Sequence, residues 1–205
     1  MSKNLALFFS YLFQPLVIPT MVFAFLLYAL PDAIRIHHTS KHLIMFVVIG
    51  TTLIIPVLSV ITMKLTKTIG SLHLQDKEER VFPFSMISFF YVMTTYLFYL
   101  KLSIDPTLVL ALATITVCVV LLTAITFFWK ISAHMTGVAG LLSIVAVASM
   151  KYPNPAFVYP LLLAILVTGF VASSRLYLNS HTLGEVFGGF MLGFTVCFLS
   201  FYYLI

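Results

Sequence analysis

The sequence predicts an all-α protein, a polytopic bundle of six or seven transmembrane helices forming a single domain over residues 1–205. Three observations predict it. Hydrophobic residues make up 61% of the 205-residue chain and charged residues only 8%, where a soluble domain carries about a quarter charged residues. Mean hydropathy is +1.12, a surface that water cannot solvate, so the solvent must be lipid. The apolar residues gather in long runs, and most of these reach the roughly 20 residues that a helix needs to cross a bilayer.

The first run, Leu5–Leu30, follows Lys3. It has no small-residue cleavage site, so it reads as a retained span and not as a signal peptide. Leu43–Met63, Val81–Leu100 and Thr107–Trp129 come next. Gly137–Met150 is short and rich in Gly, Ala and Ser, which suits a helix buried among others and starting near Ala133. Pro155–Ser173 and Leu183–Ile205 complete the set, giving seven spans, or six if Gly137–Met150 does not cross. Pro15, Pro19, Pro56 and Pro160 fall inside spans. They should bend them, with the freed carbonyls satisfied by neighbouring helices. Gly184, Gly188, Gly189 and Gly193 give the last span two successive small-xxx-small pairs. These serve close packing within the chain or, as the other use, a homodimer interface. Cys118 and Cys197 lie deep in apolar runs with no Cys-x-x-Cys spacing, and read as small core residues.

The net charge is +5 and the pI about 9.3. The basic residues sit between apolar runs, where they serve as anchors or meet anionic headgroups of membrane lipids. No basic stripe exists to track a phosphate backbone, which excludes a nucleic-acid partner.

Polar residues concentrate in three connectors. The first is Lys64–Arg80, the second Lys130–His134, and the third runs from Ser173 through His181 to Glu185. Pro31–His42, Lys101–Pro106 and Lys151–Asn154 are plain polar turns. Two spans separate the first polar connector from the second, and two more separate the second from the third. With seven spans all three emerge on one face of the membrane, where they can converge. If Gly137–Met150 does not cross, the second and third part company.

The third connector carries the most chemistry. His181 and Glu185 are four residues apart and share one face of a helix. A carboxylate beside an imidazole fixes its tautomer and makes the other nitrogen a better base or nucleophile. It would also explain why a carboxylate is tolerated so near lipid. The plainer alternative is a helix-start Glu favoured by the dipole, with a surface His nearby. Arg175 is a planar anion fork that is always charged. Ser132 offers a hydroxyl and His134 a titratable proton. Lys77 and Arg80 share a helical face if that stretch is helical. Together these residues make a cationic, donor-rich cup with a nucleophile and an acid, which is what phosphoryl transfer needs. Snorkelling anchors are the plain reading for Lys64, Lys67 and Lys130.

At these residues the chain resembles the type 2 phosphatidic acid phosphatases, which share an active site with the vanadium haloperoxidases. The family's third motif is Ser-Arg, five residues, His, three residues, Asp. Here Ser174-Arg175 is followed at that spacing by His181 and by Glu185 in place of Asp. Val186 and Gly189 also look like the family. The second motif, Pro-Ser-Gly-His, reads Ile131-Ser132-Ala133-His134. The first, Lys, six residues, Arg-Pro, is loose: Arg80 is followed by Val81, and Pro83 comes later. His73 stands at the Lys position, and Lys77 is the nearest lysine. The likeness covers residues 71–185 and on to the C-terminus.

The resemblance implies an integral membrane lipid phosphatase acting through a phosphohistidine, with no cofactor and no metal. His181 would be the nucleophile, Glu185 would orient it, and His134 would protonate the leaving oxygen. Arg175, Arg80, Lys77 and Ser132 would hold the phosphoryl oxygens of a lipid phosphate substrate. The rival is a transporter or flippase that binds an anionic headgroup without cleaving it, and a decayed family member is a third reading. A metal site at His37, His38 and His42 would lack Cys or strong carboxylates.

Orientation pulls two ways. Lys3, Lys64, Lys67, Lys77, Arg80, Lys130 and Arg175 lie on the motif face, against Arg35, Lys41, Lys101 and Lys151 opposite. The positive-inside rule would put the motif face in the cytoplasm. The resemblance implies an extracytoplasmic site in the cell (inner) membrane, with the N-terminus outside and the C-terminus in the cytoplasm. That is the expectation adopted.

Overall fold

The structure is a computed structural model. It describes all residues but 31–33, 35, 37, 71–76, 101–103 and 153, and no side chain at 38, 39, 77 or 78. Seven helices are long and apolar enough to cross a membrane. They are α1 (Lys3–Ala29), α2 (Ser40–Leu65), α3 (Glu79–Leu100), α4 (Pro106–Thr126), α5 (Ala133–Lys151), α6 (Pro155–Tyr177) and α7 (Leu183–Leu204). No strand occurs among the described residues. The protein is therefore an all-α polytopic bundle and an integral membrane protein. The short apolar run does start at Ala133, and α5 is the most buried of the seven. Its small residues permit that burial.

The chain divides into two compact units: Met1–Ile18 with Trp129–Ile205, and Pro19–Phe128. In the first unit α5 packs chiefly against α7 and then against α6, while Lys3–Leu12 of α1 packs on α6. There the rings of Phe9 and Phe170 stack with centroids 4.7 Å apart. The α5–α7 contact explains the glycines of the last span. A Cβ at Gly189 would stand 2.5 Å from the Ser132 carbonyl oxygen. One at Gly193 would overlap the Thr136 backbone. Gly188 lies under the Trp129 indole, 2.5 Å from where its Cβ would be. The small-xxx-small pairs are thus used within the chain.

Gly193→Ala should force α5 and α7 apart and cost about 1–3 kcal/mol, as overpacking does. Gly169→Ala, with nothing within 4 Å of the added carbon, should be neutral or slightly stabilising. Thermal unfolding of the two variants in detergent checks this; equal midpoints would mean that the helices have room to spare.

In the second unit α3 and α4 pair through hydroxyls. Ser88 meets Thr123 at 2.8 Å and Thr95 meets Thr116 at 2.7 Å. Such pairs at membrane depth contribute roughly 0.6–2 kcal/mol each. Pro56 has no N–H to give the Thr52 carbonyl four residues back. A π-helical stretch, Ile49–Ile54, precedes it, and the Tyr91 hydroxyl of α3 donates to that carbonyl at 3.1 Å. The expected repair of a proline-freed carbonyl by a neighbouring helix is realised here. Pro160 needs no such repair. It is the third residue of the α-helical stretch Val158–Tyr177, where N–H groups have no intrahelical partner.

The first span is broken. Its initial helix, Lys3–Leu12, ends at a Phe13 cap. Gln14 then adopts ψ 139°, the extended conformation that a following proline imposes, and Pro15 opens a short 3-10 turn.

Candidate functional site

The third connector is shaped by two helix ends. After α6 the chain turns through Leu178, Asn179 and Ser180. Ser180 N donates to Arg175 O at 3.1 Å and Asn179 N to Leu176 O at 3.0 Å. That is a Schellman cap, and it needs a left-handed residue at its centre. Asn179 supplies it with φ 49°, a region that Asn tolerates better than most residues. The five residues between Arg175 and His181 are therefore the length of this cap and of the entry into α7. The turn returns His181 to the end of the unit from which Arg175 projects.

α7 begins with a capping box. The Thr182 hydroxyl accepts from Glu185 N at 3.3 Å, and Thr182 N donates to Glu185 Oε2 at 3.1 Å. The same Oε2 lies 2.9 Å from His181 Nδ1. Glu185 thus caps the helix and also faces the imidazole, and the imidazole is buried and not at the surface. A carboxylate only accepts, so Nδ1 carries the hydrogen, and in the neutral ring Nε2 holds the lone pair. The added methylene relative to Asp still brings Glu185 to His181. The His181 side chain is only 2% exposed and that of Glu185 13%, so water competes little for this bond.

The second connector meets the third through the backbone. Ser132 N donates to Glu185 O at 3.1 Å, which fixes the start of α5 beside the start of α7. Ser132 is fully buried. Its hydroxyl caps α5, accepting from Met135 N at 3.5 Å, which leaves its own hydrogen available to an acceptor. Two helix N-termini with their N–H groups thus lie together, an arrangement that favours an anion.

His134 and Arg175 are joined by a residue that the motifs did not indicate. Arg175 Nη1 donates to the Ser10 hydroxyl at 3.2 Å, and His134 Nε2 lies 3.1 Å from the Ser10 carbonyl. Ser10 belongs to α1 and is buried. In sequence it is an ordinary polar residue within an apolar run, and only its isolation there could have drawn attention.

Compared with family models, curated proteins and solved structures, the chain matches none.

Five of the seven proposed site residues, Ser132, His134, Arg175, His181 and Glu185, are gathered in the first unit. Arg80 lies in the second unit, at the start of α3, and is buried. Lys77 is helical, but its side chain lies outside the described residues, as does His73 altogether. Of the three histidines around the start of α2, His37 and the His38 side chain are also outside them. His42 Nδ1 lies 3.2 Å from the Tyr28 hydroxyl. Among the described residues no group of three or more His, Cys, Asp and Glu is arranged to hold a metal.

Proposed function

We propose that this protein is a membrane-embedded phosphatase that removes phosphate from a lipid phosphomonoester or diphosphate. The observation that carries the reading is the 2.9 Å pairing of His181 Nδ1 with Glu185. It lies in the same compact unit as an arginine fork and a second histidine. Binding a headgroup for transport needs positive charge but no oriented nucleophile. The motif resemblance to the type 2 phosphatidic acid phosphatases supports the same assignment of roles.

Arg175 binds the phosphoryl oxygens, with the Ser132 hydroxyl as a further donor. His181 Nε2 attacks phosphorus with its lone pair as the phosphorus–oxygen bond to the lipid breaks. Glu185 stabilises the positive charge that develops on the ring. His134 gives a proton to the departing oxygen. Water then attacks the phosphohistidine, giving its proton to His134, and inorganic phosphate leaves with His181 restored. Positive side chains supply the charge neutralisation, so the steps call for no metal. Isoprenoid diphosphates, phosphatidic acid and phosphatidylglycerophosphate all present the required group.

The test is phosphate release by purified protein from a panel of these lipids in detergent, with chelator present. Release supports the reading. Movement of an intact lipid across vesicles, with no release, would replace it with the transporter.

We place the site on the extracytoplasmic face of the cell membrane, following the motif resemblance. Lys77, Arg80 and Arg175 are counted as functional charges and set aside from the positive-inside balance. A C-terminal reporter that works only in the cytoplasm should then be active. Activity of one that works only outside would reverse the assignment.

A further inference from the structure

We propose that Ser10 of the first span is a positioning residue of the anion site, holding Arg175 through its hydroxyl and His134 through its carbonyl. The role in turnover rests on the phosphatase reading. The role in anion binding rests on the geometry alone.

The break in α1 supplies the means. Ser10 lies in the last turn of the helix Lys3–Leu12, where carbonyls lack an intrahelical donor. With Gln14 held extended before Pro15, the helix does not propagate. The Ser10 carbonyl is left for a partner outside the helix, and His134 Nε2 meets it at 3.1 Å. A carbonyl only accepts, so Nε2 carries a hydrogen and His134 exchanges its catalytic proton through Nδ1. His134 gives that proton up from the imidazolium and is left as the Nε2–H tautomer, which the carbonyl stabilises. Ser10 thus does for the acid what Glu185 does for the nucleophile, with a dipole in place of a charge.

The hydroxyl acts on the other partner. Arg175 Nη1 donates to it at 3.2 Å. A long side chain tethered at one nitrogen loses less freedom when an anion arrives, so the tether strengthens binding without touching the anion. Both bonds lie within the first unit, and neither residue type nor spacing in the motifs reveals them.

Ser10→Ala deletes the hydroxyl and keeps the carbonyl, which separates the two functions. Inorganic phosphate binding, measured by calorimetry on purified protein in detergent, should weaken about three- to tenfold. KM for the lipid phosphate should rise by a similar factor, with kcat within about twofold of the parent, because the acid keeps its support. Ser10→Thr should restore both. Unchanged phosphate affinity in Ser10→Ala would overturn the proposal. So would a loss that Ser10→Thr does not restore, or a collapse of the thermal transition, since these mark a purely structural role. A parent protein that binds no phosphate would also overturn it. If phosphate binds and Ser10→Ala weakens it, but no lipid is cleaved, Ser10 keeps its role and the phosphatase reading fails. If lipid is cleaved and Ser10→Ala is indistinguishable from the parent, the reverse holds.

Discussion

His181→Ala is expected to bring phosphate release from lipid phosphates down to background, a loss of at least about a thousandfold. The nucleophile itself is removed, and His134, tied to the Ser10 carbonyl, is assigned to the acid and not to the attack. Folding should survive, because the capping box of Thr182 and Glu185 does not need the imidazole. A thermal transition close to that of the parent would separate loss of chemistry from loss of structure. His134→Ala should be milder with substrates whose leaving group is already good, because an acid contributes least there. Purified His181→Ala that releases phosphate as the parent does would end the phosphohistidine mechanism.

The second large effect is expected at Glu185, where one oxygen serves two partners. Glu185 Oε2 accepts from Thr182 N at 3.1 Å and faces His181 Nδ1 at 2.9 Å. Glu185→Gln retains the capping box, which accepts Gln as readily as Glu, but loses the charge that supports a cationic imidazole. Glu185→Asp keeps the charge and shortens the arm by one methylene. A catalytic misplacement of about 1 Å costs roughly a hundredfold. Asp should therefore lower turnover even though it matches the motif of the resembled family, and Gln should lower it further. Both variants should melt near the parent. A carboxylate acting only as a helix-start charge predicts that Asp changes almost nothing. Full turnover in Glu185→Gln would remove Glu185 from the chemistry.

Much of this site can be read in the sequence because it is local. His181 and Glu185 are four apart on one helical turn, and Ser132 and His134 open another helix. Arg175 is separated from His181 by the length of one helix cap. Sequence separations this short translate directly into geometry. The glycines of the last span were equally legible as a packing surface. The choice between use within the chain and use between chains was not, because both need the same small residues. The contacts of Ser10 were not legible. Its partners, His134 and Arg175, are 124 and 165 residues away, and no periodicity reports a contact across such a distance.

By itself the sequence determined the solvent, a count of six or seven spans and the residue types of the candidate site. Each of these follows from composition or from short-range spacing, through hydropathy and the rise of a helix. The tertiary structure decided which helices touch and what fills the hydrogen-bonding positions that the prolines vacate. It set α5 against α7 through Gly189 and Gly193, gave Thr52's carbonyl to Tyr91, and turned the break before Pro15 into a carbonyl for His134. These outcomes depend on how close two backbones approach. That distance is set by the packing of whole helices, and no local stretch of residues encodes it.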